Sequence, residues 1–464
     1  MRFLPPIFRI FSLWLMLLLG TPATGISLNV HDRQDTESLK DAASTAARGM
    51  LRYYHGNEPG QTPGTLEGTW WEAGAMFMTL VQYWRVSGDT SHNAITTQGL
   101  QWQAGEDHDY LPANSTAYLG NDDQMFWGLA AITCAETKYP DVDDGPSWLS
   151  LAQAVFNSQI QRWDMQECHG GLRWQIHSWL KGYDLKNTIS NGGLFQVAAR
   201  LARYTGDQKY ADWATKIWEW MASSPLLDTK KWNVADTTSV TDNCQTNGNQ
   251  QWTYNYGTLL SGAAYMYNLT DGDPKWLDAV NGLLDASLRI FFPPMYNNGT
   301  VLSEVACETI ETCNRDQLCF KGLLSIWLAF TATLVPSTAE RIIPRLQGSA
   351  EAAARQCSGG REGTDCGVRW YEDKWDGKNG LETQMSALSI FTANLMLQGN
   401  EDPVTSKTGG SSKSDPDAGT GDQSKNKQEA PRPVTTGDRA GAWIMTLVIA
   451  GAWIAIITWL LWES

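Results

Sequence analysis

Leu194-Phe195-Gln196-Val197-Ala198-Ala199-Arg200-Leu201-Ala202-Arg203-Tyr204-Thr205-Gly206-Asp207, running on to Trp213, Ile217, Trp220 and Met221, is the stretch that decides the fold. Apolar residues recur at helical spacing on both sides of Thr205-Gly206-Asp207. Glycine suits the left-handed residue that closes one helix, and aspartate suits the N-cap of the next. The stretch therefore reads as a helix pair.

The pair recurs along the chain. Trp71 to Val86 is followed by Ser87-Gly88-Asp89. Tyr256 to Tyr267 leads to Asp271-Gly272-Asp273-Pro274, then to Trp276, Val280, Leu283 and Leu284. Asp122 to Thr137, ending at Tyr139-Pro140, belongs to the same set. Six first helices begin near Trp71, Asp122, Asn191, Asn255, Asp316 and Glu382, at a spacing of roughly 50–70 residues, about one helix pair plus loops. Little β alternation appears between Ile26 and Gln398. Stacked pairs form an open solenoid or close into a ring. Six pairs suit closure, so the expected fold is all-α, an (α/α)6 barrel with the first helices inside.

Parallel inner helices would bring their starts to one mouth. Those starts are polar or aromatic: Trp70-Trp71-Glu72, Asn121-Asp122-Asp123, Ser190-Asn191, Trp252, Tyr254 and Asn255, Arg315-Asp316-Gln317, and Glu382-Thr383. Each taken singly is also an ordinary helix start; Asn121 is a good N-cap and first-turn acids favour the helix dipole. Asp122 and Asp123 carry more than that. Adjacent carboxylates repel, so one tends to keep its proton near neutral pH. One charged and one protonated carboxyl in a shared cleft is the equipment for cleaving a glycosidic bond.

The ends carry addresses. Arg2 and Arg9 precede the apolar run Phe11 to Leu19, and Ala23 and Gly25 offer small residues for cleavage. Residues 1–25 read as a secretory signal, leaving a domain over 26–400. Residues 401–440 are almost free of apolar side chains and read as a disordered stalk. Residues 441–464 are apolar with no following Lys or Arg, which suits a GPI-anchor signal better than a stop-transfer helix. Gly419, Gly421, Ser424, Asn426 and Gly437 are candidate attachment residues. The expected location is the cell surface, on the plasma membrane or in a cell wall.

Cys134, Cys168, Cys244, Cys307, Cys313, Cys319, Cys357 and Cys366 form an even set in a secreted chain, which suggests disulfides of open connectivity. Asn114, Asn268 and Asn298 sit in glycosylation sequons. The net charge of −15 argues against a nucleic-acid partner. The 23 tryptophans suit either sugar stacking or a core, and composition does not separate the two. No G-x-S-x-G, H-E-x-x-H or cysteine–histidine ligand spacing occurs, so no metal and no cofactor is expected. Asp141, Asp143 and Asp144 read as a solvated acidic loop.

Several motifs, in order, resemble glycoside hydrolase family 76. They are Tyr53-Tyr54, Thr62-Pro63-Gly64, Trp70-Trp71-Glu72-Ala73-Gly74, Asn121-Asp122-Asp123-Gln124 and Asn187-Thr188-Ile189-Ser190-Asn191-Gly192-Gly193. The likeness covers about residues 26–400 and is strongest to the fungal cell-wall branch, the mannan endo-1,6-α-mannosidases. It implies an (α/α)6 fold and a retaining mechanism on α-1,6-mannosyl linkages, with Asp122 as nucleophile and Asp123 as general acid/base. The implied donor is α-mannan or a GPI-anchor glycan. The acceptor is water or a sugar hydroxyl of wall β-glucan. Trp71, Trp127 and Trp252 are candidates for sugar stacking. Asn121, Asn191, Tyr254, Asn255 and Asp316 are candidates for other substrate contacts. Two alternatives stand beside this reading. One is a non-catalytic mannan-binding wall protein. The other is an inverting hydrolase in which Asp316 or Glu382 faces Asp122 across about 6.5–9.5 Å.

Overall fold

The computed structural model describes residues 35–399, 402–421 and 434–462. The signal peptide expected over residues 1–25 lies outside the described residues, as do Ser424 and Asn426. The six expected first helices are present: α2 Trp71–Ser87, α4 Asn121–Thr137, α6 Thr188–Thr205, α8 Thr253–Leu269, α10 Phe320–Leu334 and α12 Leu381–Gly399. Their outer partners are α1 Thr36–Leu51, α3 Asn93–Trp102, α5 Trp148–Gln161, α7 Gln208–Ser223, α9 Pro274–Phe291 and α11 Ala339–Gln356.

Each even helix packs on the next even helix, and α12 packs on α2, so the inner ring closes. Every inner helix also packs on the outer helix that follows it, and α1 completes the set by lying on α12. The result is an (α/α)6 barrel. Inner helices are buried on nearly every face, whereas α9 buries one stripe, including Trp276, Ala279, Val280, Leu283 and Leu284. Small residues allow the inner helices to approach closely. A Cβ on Gly322 of α10 would lie 2.7 Å from the Ser386 backbone of α12.

The turns at the lower end are short. Gly88 and Gly206 close α2 and α6 in the left-handed conformation at φ 75°. Asp207 and Asp273 cap α7 and α9, each accepting a backbone N–H at 2.9 Å. At Asp89 the helix starts later than expected: α3 begins at Asn93, while Asp89 accepts from the Ser91 N–H at 2.9 Å and from the Tyr83 hydroxyl at 2.8 Å. Similarly, α10 begins at Phe320 after a single 3-10 turn at Asp316–Leu318.

The upper loops are long and stapled. They carry the short antiparallel strands, including Leu185–Asn187 against Thr237–Ser239. They also carry the disulfides Cys168–Cys244, Cys307–Cys313 and Cys357–Cys366. Cys134 and Cys319 are buried and free, so six of the eight cysteines pair.

Two expectations about polar segments are corrected. Residues 402–421, read as the start of a disordered stalk, lie against the barrel: Val404 N–H donates to the Glu136 carbonyl at 2.9 Å and Ser406 N–H to the Tyr204 carbonyl at 2.9 Å. Asp141 is not merely solvated, since it accepts from the Trp148 N–H at 3.1 Å and the Ser412 hydroxyl at 2.8 Å. The apolar C-terminal stretch forms α13, Thr436–Trp462, with no buried residue. It is long and apolar enough to cross a membrane.

Inside the barrel, Arg200 of α6 donates to Glu136 of α4 at 2.5 and 3.0 Å, and Tyr265 of α8 donates to the same oxygen at 2.9 Å. Both charges are about 1% exposed. Replacing one member strands a buried charge. We expect Arg200→Met to destabilise the fold by about 3–5 kcal/mol in a thermal or denaturant melt. Adding Glu136→Leu is expected to restore much of that loss, because the stranded carboxylate goes with it.

Candidate active site

The inner helices all start at the upper end. The α4 start shows how local sequence aims the carboxyl pair. Gly120, not Asn121, is the N-cap, and the Asp123 carboxylate reaches back to accept its N–H at 2.6 Å. Asp122 accepts from the Asp123 N–H at 3.1 Å and from the Trp174 indole. A Cβ on Gly120 would come within 2.3 Å of Asp122 Oδ1, so a larger residue there would displace the Asp122 carboxyl.

The two aspartates lie in a cavity of about 550 Å³. Its walls include Trp70, Trp71, Phe126, Trp174, Tyr254, Asp316 and Phe320. Trp71 donates its indole N–H to Asp316 at 3.0 Å and packs 4.6 Å from Phe126. Tyr254 lies flat on Phe320, with ring centres 3.7 Å apart. The lining thus offers aromatic faces beside carboxylates, a combination suited to sugar rings and their hydroxyls.

Burial is the largest influence on both carboxyls. It pushes Asp122 well above the usual range, and the neighbouring Asp123 charge pushes it further. Burial raises Asp123 to about 7, with a contribution from Asp316 and opposition from the Gly120 N–H. The pair therefore titrates as a unit and holds a proton at neutral pH. Burial and the surrounding acids keep the Tyr254 phenol protonated.

Of the expected contact residues, the structure brings Trp71, Tyr254 and Asp316 to the cavity. The others serve different ends. Trp127 is fully buried and stacks on Trp70 at 4.9 Å, because it lies a further step around α4 from Phe126. Trp252 is 6% exposed and packs edge-on against Phe320. Asn121 is buried; it donates to the Arg173 carbonyl at 2.9 Å and accepts from Arg162 at 2.8 Å. Asn191 exchanges hydrogen bonds with the Leu172 backbone at 2.7 and 3.0 Å. Asn255 donates to half-buried Asp236 at 2.9 Å. These asparagines fasten loops rather than line the cavity. Asn121 and Asn191 hold the segment that carries Trp174.

Sequence reasoning missed Trp174, Gln175, Tyr118 and the Thr65–Thr69 loop, which reach the cavity from segments without helical periodicity. Phe126 was legible, being four residues beyond Asp122 on the same helix face. Glu382 is not in this cavity. It pairs with Arg315 at 2.6 Å in an adjoining cleft, where Arg315 also meets Glu72 at 3.1 Å. Burial and the Glu382 charge raise Glu72 to about 9. Among the described residues, no group of His, Cys, Asp and Glu is placed to hold a metal ion. Asn114 and Asn298 are exposed, Asn114 at the cavity rim. Asn268 is half-buried with its amide oxygen taken by Arg203 at 2.7 Å.

A closed (α/α)6 barrel with paired acids and aromatic walls at its mouth defines a carbohydrate-cleaving enzyme. The family model for glycosyl hydrolase family 76 matches residues 38–407. The chain is 44% identical to mannan endo-1,6-alpha-mannosidase DCW1 of Saccharomyces cerevisiae, over 92% of this chain and 94% of that protein. It is 38% identical to mannan endo-1,6-alpha-mannosidase DFG5 of Candida albicans, over 96% and 98%. The crystal structure of Dfg5 from Chaetomium thermophilum in complex with glucosamine matches with a TM-score of 0.79 at 41% identity, covering 84% of this chain and 97% of that one. The chain belongs to glycosyl hydrolase family 76.

The site makes a titration prediction. Carboxyl-carbon NMR of the aspartates is expected to show a group titrating near 7, lost in Asp123→Asn. Because the Asp316 charge raises Asp123, Asp316→Asn is expected to move that transition downward.

Proposed function

We propose that this protein is a retaining glycosidase of α-1,6-mannosyl linkages, in which Asp122 attacks the anomeric carbon and Asp123 protonates the leaving oxygen. The carrying observation is two consecutive carboxyls, sharing protons near neutral pH, on the floor of an aromatic-walled cavity. A bond forms between Asp122 and the anomeric carbon as the glycosidic bond breaks, and the Asp123 proton leaves with the departing sugar. Asp123, now ionised, then takes the proton of the incoming hydroxyl, which displaces Asp122. Trp71 and Tyr254 would face the sugar, and Asp316 would accept from its hydroxyls. A bacterial α-1,6-mannanase of the same fold, at 20% identity, has an inactive variant with asparagine at two consecutive aspartates, in complex with α-1,6-mannotriose. That pairing of chemistry and position supports the assignment.

The donor we favour is α-1,6-linked mannose of mannan or of a GPI-anchor glycan. The acceptor is water or a β-glucan hydroxyl, which would make the enzyme a cross-linker of wall glycoproteins. We place it at the cell surface, GPI-anchored to the plasma membrane or delivered to the wall, with Asn114 and Asn298 glycosylated.

Wild type is expected to shorten an α-1,6-mannan oligosaccharide, with the first product in the α configuration by proton NMR. A β-configured first product would favour the inverting reading. Asp123→Asn is expected to lose roughly 10²–10⁴ in kcat/KM and Asp122→Asn at least as much. Undiminished turnover in either variant would remove the assignment. Mass spectrometry with added β-glucan distinguishes transfer from hydrolysis. The active form carries one proton on the pair, so kcat/KM is expected to rise as pH passes through about 7, where the pair loses its first proton, and to fall at higher pH as it loses the second.

A further inference from the structure

The path of residues 402–421 bears on how the barrel is held. Helix α12 runs from the mouth down to Gly399 at the lower end, and the chain resumes there, with Arg203 donating to the Pro403 carbonyl at 2.7 Å. It then climbs the outside of α5. Ser412 Oγ accepts from the Leu149 N–H at 2.9 Å. Gln153 accepts from the Asp415 N–H at 2.7 Å and donates to Ser414 Oγ at 2.9 Å. Asn157 donates to the carbonyls of Pro416 and Ala418 at 2.9 and 2.8 Å. Gln161 donates to the Gly419 carbonyl at 3.4 Å.

Positions 149, 153, 157 and 161 are spaced by four, so they form one row along the helix. The strap meets them in order, starting from the foot of α5. Gln153 and Asn157 are 0% and 1% exposed beneath it. Gly419 lies so close to α5 that a Cβ would meet the Ala154 carbonyl at 2.6 Å, at a φ of +71° that itself favours glycine. Ala154 is six residues beyond the first residue of α5, so Gly419 stands about 9 Å up the barrel wall. The described strap therefore ends at Gly421, on the side wall of the barrel and above its lower end.

We infer that the strap lifts the membrane tether off the lower end and up the barrel wall, so that the mouth faces the leaflet in which the protein is held. This rests on the proposed membrane attachment through the α13 region or a lipid in its place. The barrel's exposed large apolar side chains lie at the mouth end: Trp102 closes α3, and Tyr118, Met165, Trp179, Met295 and Ile310 stand on mouth loops. Tryptophan and tyrosine suit the headgroup level of a bilayer. The charge of −15 disfavours anionic lipid, so the surface fitted is a zwitterionic leaflet. A glycan borne on a lipid headgroup would then enter the cavity with little reorientation.

The test uses the full chain held in zwitterionic vesicles, with a dye at Lys181→Cys on a mouth loop or at Ser337→Cys on a lower turn, and a quencher carried by lipid. Both positions are exposed. Quenching is expected to be several-fold greater at 181 than at 337. Equal quenching, or the reverse order, would overturn the proposal. Gln153→Ala with Asn157→Ala removes two rungs of the ladder and is expected to reduce the bias while leaving turnover of a soluble α-1,6-mannotriose unchanged. An undiminished bias in that variant would overturn the role given to the strap. Absence of turnover by the parent chain would instead count against the enzymatic reading, which the quenching does not depend on.

Discussion

The closure of α12 on α2 is the constraint on which the rest depends. A ring of six inner helices, joined in turn by outer helices running back, gives every inner helix the same direction. Six helix starts then share one end, and the connections there must span from the outer to the inner layer. Long loops and three disulfides gather at that end, while tight Gly-Asp turns suffice at the other. Helix N-termini favour negative charge. At Asp122 and Asp123, however, burial and the neighbouring acids outweigh that preference, and both carboxyls are pushed up. A site that must keep one proton at neutral pH requires that balance.

The barrel was legible because its signals are local. Gly206 and Asp207 mark a boundary whatever lies around them, and repetition at a steady interval suggests a ring. The Asp122–Asp123 pair was legible because adjacency in sequence guarantees adjacency in space. Asn121, Asn191 and Asn255 misled for the opposite reason. A polar residue at the start of an inner helix points toward the mouth, but loops from elsewhere in the chain cover it. The Leu172 backbone reaches Asn191 first, and the Arg173 carbonyl reaches Asn121. Nothing within either helix announces those loops. Trp174 arrives by the same route and carries no periodic signature.

Tryptophan shows the limit of composition. Trp71 and Trp127 belong to neighbouring inner helices, yet one borders the cavity and the other is sealed between Trp70, Phe77 and Tyr110. The difference is rotation about the helix axis. Asp122 and Phe126 share a face, and Trp127 is turned roughly 100° away from Phe126. Counting around the helix from the carboxyl pair separates the two where residue type does not.

The strap was misread because it lacks apolar residues; Val404 is the buried exception. Its order comes from hydrogen bonds offered by a folded partner, and the trace of that partnership lies in α5. Gln153, Asn157 and Gln161 form a polar row on a helix that also carries Leu151, Val155 and Phe156. Buried amides in such a row must find partners. Tyr210 and Lys209 of α7 take up only part of what Gln153 and Asn157 offer, so the row implies a further piece of chain. Here that chain climbs from the foot of α5 to the level of Ala154, which joins the question of how the enzyme is held to the question of where its mouth points.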